Sequence, residues 1–257
     1  MSNFTLIGLL LTATLYATAP ALTGDFVYED QSAVIETSQA PISWLRTRAL
    51  TRASYQLDRW VYGVDGRSQS SAAAYHATNI IIHGANGLLV YQIAAGLMAS
   101  PVAPAFAAAV FLLHPIQSEA VDYAAGRTEV LSTFFALVAV LLMVRGFGWV
   151  SWGRAVAIAV ALVAAMWSKE SAVCAVGLVA LVPLTLWSTN WTPQLARRVT
   201  IGLAVCGVAA VVLAQTVIRH EYVVQSDLGP WAYAALQAKA LWQFAFVAAT
   251  FIGQTVD

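Results

Sequence analysis

The sequence predicts an all-α membrane protein, a polytopic bundle of about eight transmembrane helices, and three observations support that fold class. Hydrophobic residues occupy 60% of the 257 positions and charged residues only 10%. The mean hydropathy of +0.71 lies well above the range of soluble proteins. Several apolar runs approach the length of about 20 residues that a helix needs to cross a bilayer. Clusters of turn-forming residues separate the runs, so we expect repeated crossings.

The apolar runs give the order of the predicted elements. The first run, residues 3–22, lacks a basic amino-terminal flank, so we interpret it as a retained span; a cleaved signal peptide is the alternative. In the polar segment 23–71, apolar residues recur at helical spacing, which predicts one or two amphipathic helices on the membrane surface. Further spans are predicted at about 72–98, 102–113, 130–147, 153–168, 171–188, 199–218 and 231–252. The run 102–113 is short for a crossing, and we expect its helix to extend into the following loop. The whole chain, 1–257, is predicted to be one membrane domain.

The distribution of charge predicts the orientation of the bundle. With a cytoplasmic amino terminus, the short inner connections contain arginines and no acid, as the positive-inside rule requires; these are Arg145, Arg154, Arg197 and Arg198. Every acidic residue except Asp257 then falls on the outer side. A net charge of zero gives no indication of a nucleic-acid partner, and no ligand spacing predicts a metal site. Cys174 and Cys206 are interpreted as buried small hydrophobic residues.

Under this topology, four groups of polar residues meet at the outer face. Glu29 and Asp30 follow the first span, and one of the two carboxylates is a candidate general base; a solvated pair of loop charges is the alternative. In the second span, four polar residues share one helical face: His76, Asn79, His83 and Asn86. They either line a site or form hydrogen bonds between helices, and we favour the second interpretation for Asn86.

The other two groups lie in connections between spans. The stretch 114–131, HPIQSEAVDYAAGRTEVL, contains His114, Glu119 and Arg127, and Lys169 lies on a tight turn in WSKES. Lys169 either extends to the membrane interface or points inward as a fixed cation for phosphate. Two cations, a pair of acids and a stripe of histidines on one side of the membrane predict a cavity for an anionic substrate with a polar head.

The stretch 114–131 resembles the His-Pro-x-x-(Ser/Thr)-Glu…Gly-Arg-x-(Glu/Asp)-x-Leu block of GT-C-type membrane glycosyltransferases. The closest group is the transmembrane and tetratricopeptide-repeat family, which includes protein O-mannosyltransferases. FVYEDQSAVIE, YHATNIIIHGANGLLVY and SKES are similar to further motifs of that family, in the same order. RALT at 48–51 is similar to its Arg-Pro-Leu-Thr, although Ala49 replaces the proline, and Glu29 stands where an aspartate is usual. Family members continue with more helices and often a tetratricopeptide-repeat domain, so we expect this chain to be the amino-terminal portion.

The resemblance implies a glycosyltransferase without cofactor or metal, whose donor is a polyprenyl-phosphate monosaccharide such as polyprenyl-phosphate mannose. The sugar would pass to a protein or peptide hydroxyl with inversion, at the outer or periplasmic face of the cell (inner) membrane. Glu29 or Asp30 would be the base, and three cations would stabilise the leaving phosphate: Arg127, Lys169 and Arg48. Five further residues are expected to contact phosphate or sugar: His76, Asn79, His83, His114 and Glu119. Glu119 could instead orient Arg127.

Two other classes of function are compatible with part of the pattern. A non-catalytic membrane scaffold or assembly subunit would keep the fold and tolerate the departures at Glu29 and Ala49. A transporter with a proton relay is disfavoured, because the acids gather at one surface and none is predicted in the middle of a span.

Overall fold

The structure is a computed structural model that describes residues 3–27, 48–64, 69–100, 102–146 and 151–185, and isolated positions elsewhere, among them Asp30, Val34 and Ile42. Glu29 and most of the predicted spans 199–218 and 231–252 lie outside these residues. The chain divides into two compact units, Met1–Val217 and Ile218–Asp257, and the contacts below belong to the first. The described residues form helices and turns without a β-strand, which confirms the predicted all-α class.

The described residues contain eight α-helices, numbered in chain order: α1 (Asn3–Thr18), α2 (Ala49–Tyr62), α3 (Gln69–Leu97), α4 (Ala103–Leu113), α5 (Ser118–Val121), α6 (Arg127–Arg145), α7 (Trp152–Ser168) and α8 (Cys174–Thr185). Short 3₁₀ turns lie between some of them: Ala19–Thr23, Pro115–Gln117, Ala124–Gly126 and Glu170–Val173. Within the described ranges, three segments are long and apolar enough to cross a membrane: Thr5–Thr23, Ala72–Leu97 and Ala124–Arg145. The lengths and apolar composition of these helices confirm the predicted membrane character. The total of about eight spans stays a prediction.

Helix α6 lies at the centre of the described bundle, where it packs against α3 and α7. A cluster of buried apolar side chains joins α6, α7 and α8: Ala139, Met143, Ile158, Ala161, Leu162, Ala175, Val176 and Val179. Alanines at such contacts let helices approach closely. Helix α3 meets α4 at Gly87, where a Cβ would lie 2.5 Å from the Leu112 side chain. Small residues therefore allow close packing both among α6, α7 and α8 and between α3 and α4.

Two helix boundaries differ from the predicted ones. The helix predicted at 102–113 ends at Leu113 and does not extend into the loop, because His114 adopts an extended backbone conformation ahead of Pro115. Helix α6 begins at Arg127, earlier than predicted. Arg127 therefore belongs to the first turn of a helix and not to the preceding loop.

Helix α2 is the described part of the predicted amphipathic segment, and it turns its polar edge toward the bundle. Thr51, Tyr55 and Asp58 are buried, whereas Leu57 and Trp60 are exposed. The polar edge faces inward because it makes hydrogen bonds and an ion pair there. Contact of the exposed apolar edge with the membrane surface stays a prediction.

Helices α3 and α6 run in the same direction, which defines two ends of the bundle. Asn79 contacts Arg127 at the start of α6, and Gln92, further along α3, contacts Arg145 at its end. Acidic residues gather near the start of α6, which we call the acidic end: Asp30, Asp58, Glu119, Asp122, Glu129 and Glu170. Arg145 and Arg154 lie at the opposite end. This separation agrees with the charge asymmetry predicted from the sequence.

Candidate functional site

Arg127, the first residue of α6, is fully buried, and four groups hold its guanidinium. Nη2 donates to Oδ2 of Asp58 at 2.7 Å and to the carbonyl oxygen of Tyr75 at 2.8 Å. Nη1 donates to Oγ of Ser54 at 3.3 Å, and Nε donates to Oδ1 of Asn79. A buried guanidinium is tolerated when it is paired and hydrogen-bonded in this way. One side chain thus holds α2, α3 and α6 together.

Asp58 of α2 is the carboxylate that pairs with Arg127. Its Oδ1 accepts a hydrogen bond from Oγ1 of Thr78 at 3.0 Å. Burial raises the pKa of Asp58, and the charge and hydrogen bond of Arg127 oppose that rise. The guanidinium also lies 5.2 Å from the ring centroid of Tyr55, within the range of a cation–π contact. Asp58 therefore takes the orienting role that the sequence suggested for Glu119, which is exposed on α5.

The burial of Arg127 bears on the role predicted for it. The sequence predicts a cation that faces the donor phosphate, but the guanidinium has no exposed surface and its donors are directed at the chain. A phosphate could reach it only after Asp58 or Asn79 had moved away. In the structure, Arg127 connects three helices at the acidic end, and its contact with a donor phosphate stays a prediction.

Asp30 is buried near this network, and both of its carboxylate oxygens are engaged. Oδ1 accepts a hydrogen bond from the N–H of Ala125 at 2.7 Å, and Oδ2 accepts one from the N–H of Val27 at 3.2 Å. Ala125 lies in the 3₁₀ turn that leads into α6. The start of the segment that follows α1 is therefore bonded to the stretch 114–131, as expected for two parts of one site.

Lys169 and Arg48 are predicted cations that keep exposed surface, and each pairs with a carboxylate. Nζ of Lys169 pairs with Oε1 of Glu129, and Nε of Arg48 donates to both carboxylate oxygens of Glu170 at 3.2 and 3.3 Å. Burial and the charge of Arg48 lower the pKa of Lys169, and Glu170 opposes them. The side chains of Arg48 and Lys169 are 40% and 23% exposed, so an anion from solvent could reach both.

Two members of the polar stripe on α3 link that helix to its neighbours. His83 stacks on Phe111 with the ring centroids 5.4 Å apart, and its Nε2 lies 3.1 Å from the carbonyl oxygen of Leu112. Asn86 donates from Nδ2 to the carbonyl oxygen of Val130 at 2.9 Å. The interhelical interpretation, favoured for Asn86 from the sequence, therefore describes His83 as well. Contact of His83 with a donor stays a prediction.

The other predicted contact residues have different surroundings. Asn79 donates from Nδ2 to the carbonyl oxygen of Tyr123 at 2.8 Å and also accepts from the guanidinium described above. His114 caps the following 3₁₀ turn, where its Nδ1 accepts from the N–H of Ile116 at 3.1 Å. His76 is buried one turn before Asn79 on the same face of α3. Their contacts with phosphate or sugar stay predictions.

Comparison with known proteins adds a family context to this arrangement. No family model matches the chain. One matching relative is the Protein O-mannosyl-transferase F38B6.6 of Caenorhabditis elegans, 26% identical over 155 residues, a match that covers 53% of this chain and 22% of the relative. Another is the Protein O-mannosyl-transferase Tmtc1 of Drosophila melanogaster, 32% identical over 101 residues, with 39% of this chain and 12% of the relative covered. The chain resembles the protein O-mannosyl-transferases.

This similarity confirms the family resemblance predicted from the motifs. The chain spans about a fifth of the nematode O-mannosyl-transferase and about an eighth of the fly one. No solved structure matches the chain. The GT-C-like fold and the relation to tetratricopeptide-repeat proteins therefore stay predictions.

The residue of this O-mannosyl-transferase-like chain that sequence reasoning missed is Asp58. A signal for it exists, because Thr51, Tyr55 and Asp58 recur at spacings of 4 and 3 and mark a second face of α2 opposite the apolar stripe. This face turns inward where Asp58 finds an ion-pair partner inside the bundle. That partner, Arg127, lies 69 positions away.

Gly126 controls how closely the turn before α6 approaches the preceding turn. A Cβ at this position would lie 2.4 Å from the carbonyl oxygen of Ala120 and 2.8 Å from its carbonyl carbon. Gly126→Ala should push the start of α6 away and lower the free energy of unfolding by about 1–3 kcal/mol, as is typical of overpacking. The thermal midpoint in detergent measures the change. Gly153→Ala is the matched control, since nothing lies within 4 Å of its Cβ position; an equal loss in both variants would contradict the steric explanation.

Proposed function

We propose that this protein is a membrane glycosyltransferase of the O-mannosyl-transferase type, with a GT-C-like bundle of about eight spans. It transfers a monosaccharide such as mannose from a polyprenyl-phosphate donor to a protein hydroxyl, with inversion, at the non-cytoplasmic face of the cell membrane. The observation that carries the proposal is the convergence of five separate sequence motifs at the acidic end. Direct contacts join residues of different motifs there: Asp30 with Ala125, Asn79 with Arg127, Arg48 with Glu170, Thr51 with Ser168, and Lys169 with Glu129.

Asp30 is the proposed general base. In a single displacement, the acceptor hydroxyl oxygen bonds to the anomeric carbon while the bond from that carbon to the phosphate oxygen breaks, and the hydroxyl proton passes to the carboxylate. Each oxygen of Asp30 accepts one backbone hydrogen bond, and a carboxylate oxygen has a second lone pair for another. The backbone contacts therefore orient the carboxylate and leave it able to take the proton.

Lys169 and Arg48 are the proposed phosphate-binding cations, with Arg127 as a positioning residue. The leaving phosphate gains negative charge as the glycosidic bond breaks, and fixed cations stabilise that charge. Both cations are partly exposed and paired with carboxylates. The donor phosphate would therefore replace Glu129 and Glu170 as their partners.

Donor binding tests this exchange of partners at Lys169. Lys169→Met should weaken the binding of dolichyl phosphate mannose by about 10- to 100-fold, since a hydrogen bond between charged groups contributes about 1.5–3 kcal/mol. Glu129→Gln should strengthen it by up to about fivefold, because it frees the ammonium from a partly exposed ion pair. Arg154→Gln, at the opposite end, is the control and should leave the affinity unchanged. Unchanged affinity in Lys169→Met would remove Lys169 from the site.

A transfer assay tests the function itself. Purified protein, incubated with radiolabelled dolichyl or undecaprenyl phosphate mannose and a peptide rich in serine and threonine, should yield labelled peptide. A folded preparation that binds the donor but transfers nothing would instead support the alternative of a non-catalytic scaffold subunit.

Thiol labelling tests the proposed face of the membrane. Cys174, which is exposed and not buried as predicted, and Cys206 are first replaced by alanine. Ser118→Cys, at an exposed position of the acidic end, should then react with an impermeant maleimide added outside the cell. Gly153→Cys, at the opposite end, should react only after permeabilisation. The reverse pattern would put the acidic end in the cytoplasm.

A further inference from the structure

The polar stripe on α3 contains one residue whose side chain makes no hydrogen bond to any described part of the chain. Asn79, His83 and Asn86 each bond to a neighbouring helix or turn. His76 lies on the same face and is 1% exposed, yet neither ring nitrogen has a hydrogen-bond partner among the residues that the structure describes. Burying an imidazole without partners is unfavourable. A buried polar group of this kind calls for a partner that the described residues do not supply, and a bound ligand is one such partner.

His76 lies beside the hydrogen-bond network of Arg127, the proposed positioning residue. Tyr75, the preceding residue, gives its carbonyl oxygen to Arg127, and Asn79, one turn further, bonds to the same guanidinium. Tyr75 also packs with Ala124, the residue before Ala125, and the N–H of Ala125 bonds to Asp30. His76 therefore lies near the proposed base.

We propose that His76 binds a hydroxyl group of the sugar in the lipid-linked donor and so helps to determine which sugar is transferred. The inference rests on the proposed glycosyl transfer. The base must lie next to the attacking hydroxyl and the anomeric carbon, so a group near Asp30 faces the sugar ring and not the lipid chain. A neutral imidazole offers one N–H donor and one nitrogen acceptor. This matches a sugar hydroxyl, which also donates and accepts, whereas an ionised phosphate diester only accepts.

The test compares two lipid probes, dolichyl phosphate mannose and dolichyl phosphate. The wild-type chain should bind the lipid that carries the sugar more tightly. His76→Leu should lose about 10- to 100-fold in affinity for dolichyl phosphate mannose and bind dolichyl phosphate as before. His76→Gln, which keeps a donor and an acceptor, should recover part of the preference. Without ligand, the thermal midpoint of His76→Leu should equal or exceed that of the wild type, because the change removes buried polar atoms that have no partner among the described residues.

Asn86→Leu is the matched control, since it removes a polar side chain of the same stripe that bonds to Val130. It should leave the preference for dolichyl phosphate mannose unchanged. Equal loss of affinity for both lipids in His76→Leu, or an unchanged preference in both His76 variants, would overturn the assignment. A wild-type chain that binds the two lipids equally would instead contradict the proposed donor, whatever the variants do.

Discussion

Asp30→Asn should lower the rate of glycosyl transfer by about 10²- to 10⁴-fold, the usual contribution of a general base. The amide keeps the shape of the carboxylate, and its oxygen can still accept the hydrogen bond from the N–H of Ala125. It cannot take the proton of the attacking hydroxyl. Donor affinity should stay close to that of the wild type, because the lost interaction is made only in the transition state. Turnover at saturating labelled donor and the donor dissociation constant are the two quantities to measure.

Asp25→Asn is the matched control for this experiment. Asp25 is an exposed carboxylate earlier in the same loop, so its replacement should leave the rate unchanged. If Asp30→Asn keeps its activity, Glu29→Gln tests the neighbouring acid as the base. Full transfer activity in both variants would exclude both acids as the general base.

Arg127→Met should be the most destabilising of the substitutions considered at the acidic end. It leaves Asp58 buried without its partner, and breaking one side of a buried ion pair costs about 3–5 kcal/mol. That is a large part of a typical total stability of about 5–15 kcal/mol. The thermal midpoint and the yield of monodisperse protein in detergent should both fall. The double variant Arg127→Met with Asp58→Leu should recover much of the loss, since apolar replacement of a whole buried pair is often neutral.

The penalty of Arg127→Met should also depend on pH. Burial raises the pKa of Asp58 and Arg127 opposes that rise, so in the variant the folded-state pKa of Asp58 lies above the unfolded one. The protonated carboxyl group then favours folding, and its contribution is lost as the pH rises through the folded pKa. The midpoint of the variant should therefore be closer to that of the wild type at pH 5 than at pH 8. If the thermal midpoint of the variant lies equally far below that of the wild type at both pH values, the buried charge of Asp58 is not the cause of the lost stability.

The same variants separate a structural Arg127 from the phosphate-binding Arg127 that the sequence predicts. If Arg127 only holds the helices together, the folded double variant should bind dolichyl phosphate nearly as well as the wild type. If Arg127 contacts the phosphate, the double variant should regain stability but remain about tenfold or more weaker in binding.

Hydropathy and helical periodicity are sufficient to predict the long helices. The apolar run 72–98 becomes α3, and the run after residue 130 becomes most of α6, because a helix satisfies every backbone group of such a run within lipid. The motifs, in turn, indicate which connections share a site. Asp30 is bonded to the stretch 114–131, as those motifs predict.

Pairings between distant side chains cannot be inferred from the same patterns. Asp58 belongs to a polar edge, and a polar edge of an amphipathic helix usually faces water; the position of Arg127 in space reverses that expectation. The stripe on α3 is a similar case. A period of 3.6 residues puts His76 and His83 on one face, but only the neighbouring helices decide that His83 bonds to α4 and that His76 bonds to none of the described residues.

The buried pair also has a consequence for the synthesis of the chain. Asp58 precedes Arg127 by 69 positions, and a ribosome adds about 5–20 residues per second, so the carboxylate is made roughly 3 to 14 s before its guanidinium partner. During that interval, α2 cannot reach its final position without burying an unpaired charge. Docking of α2 onto the bundle therefore waits until the amino terminus of α6 has been translated and delivered to the same side of the membrane.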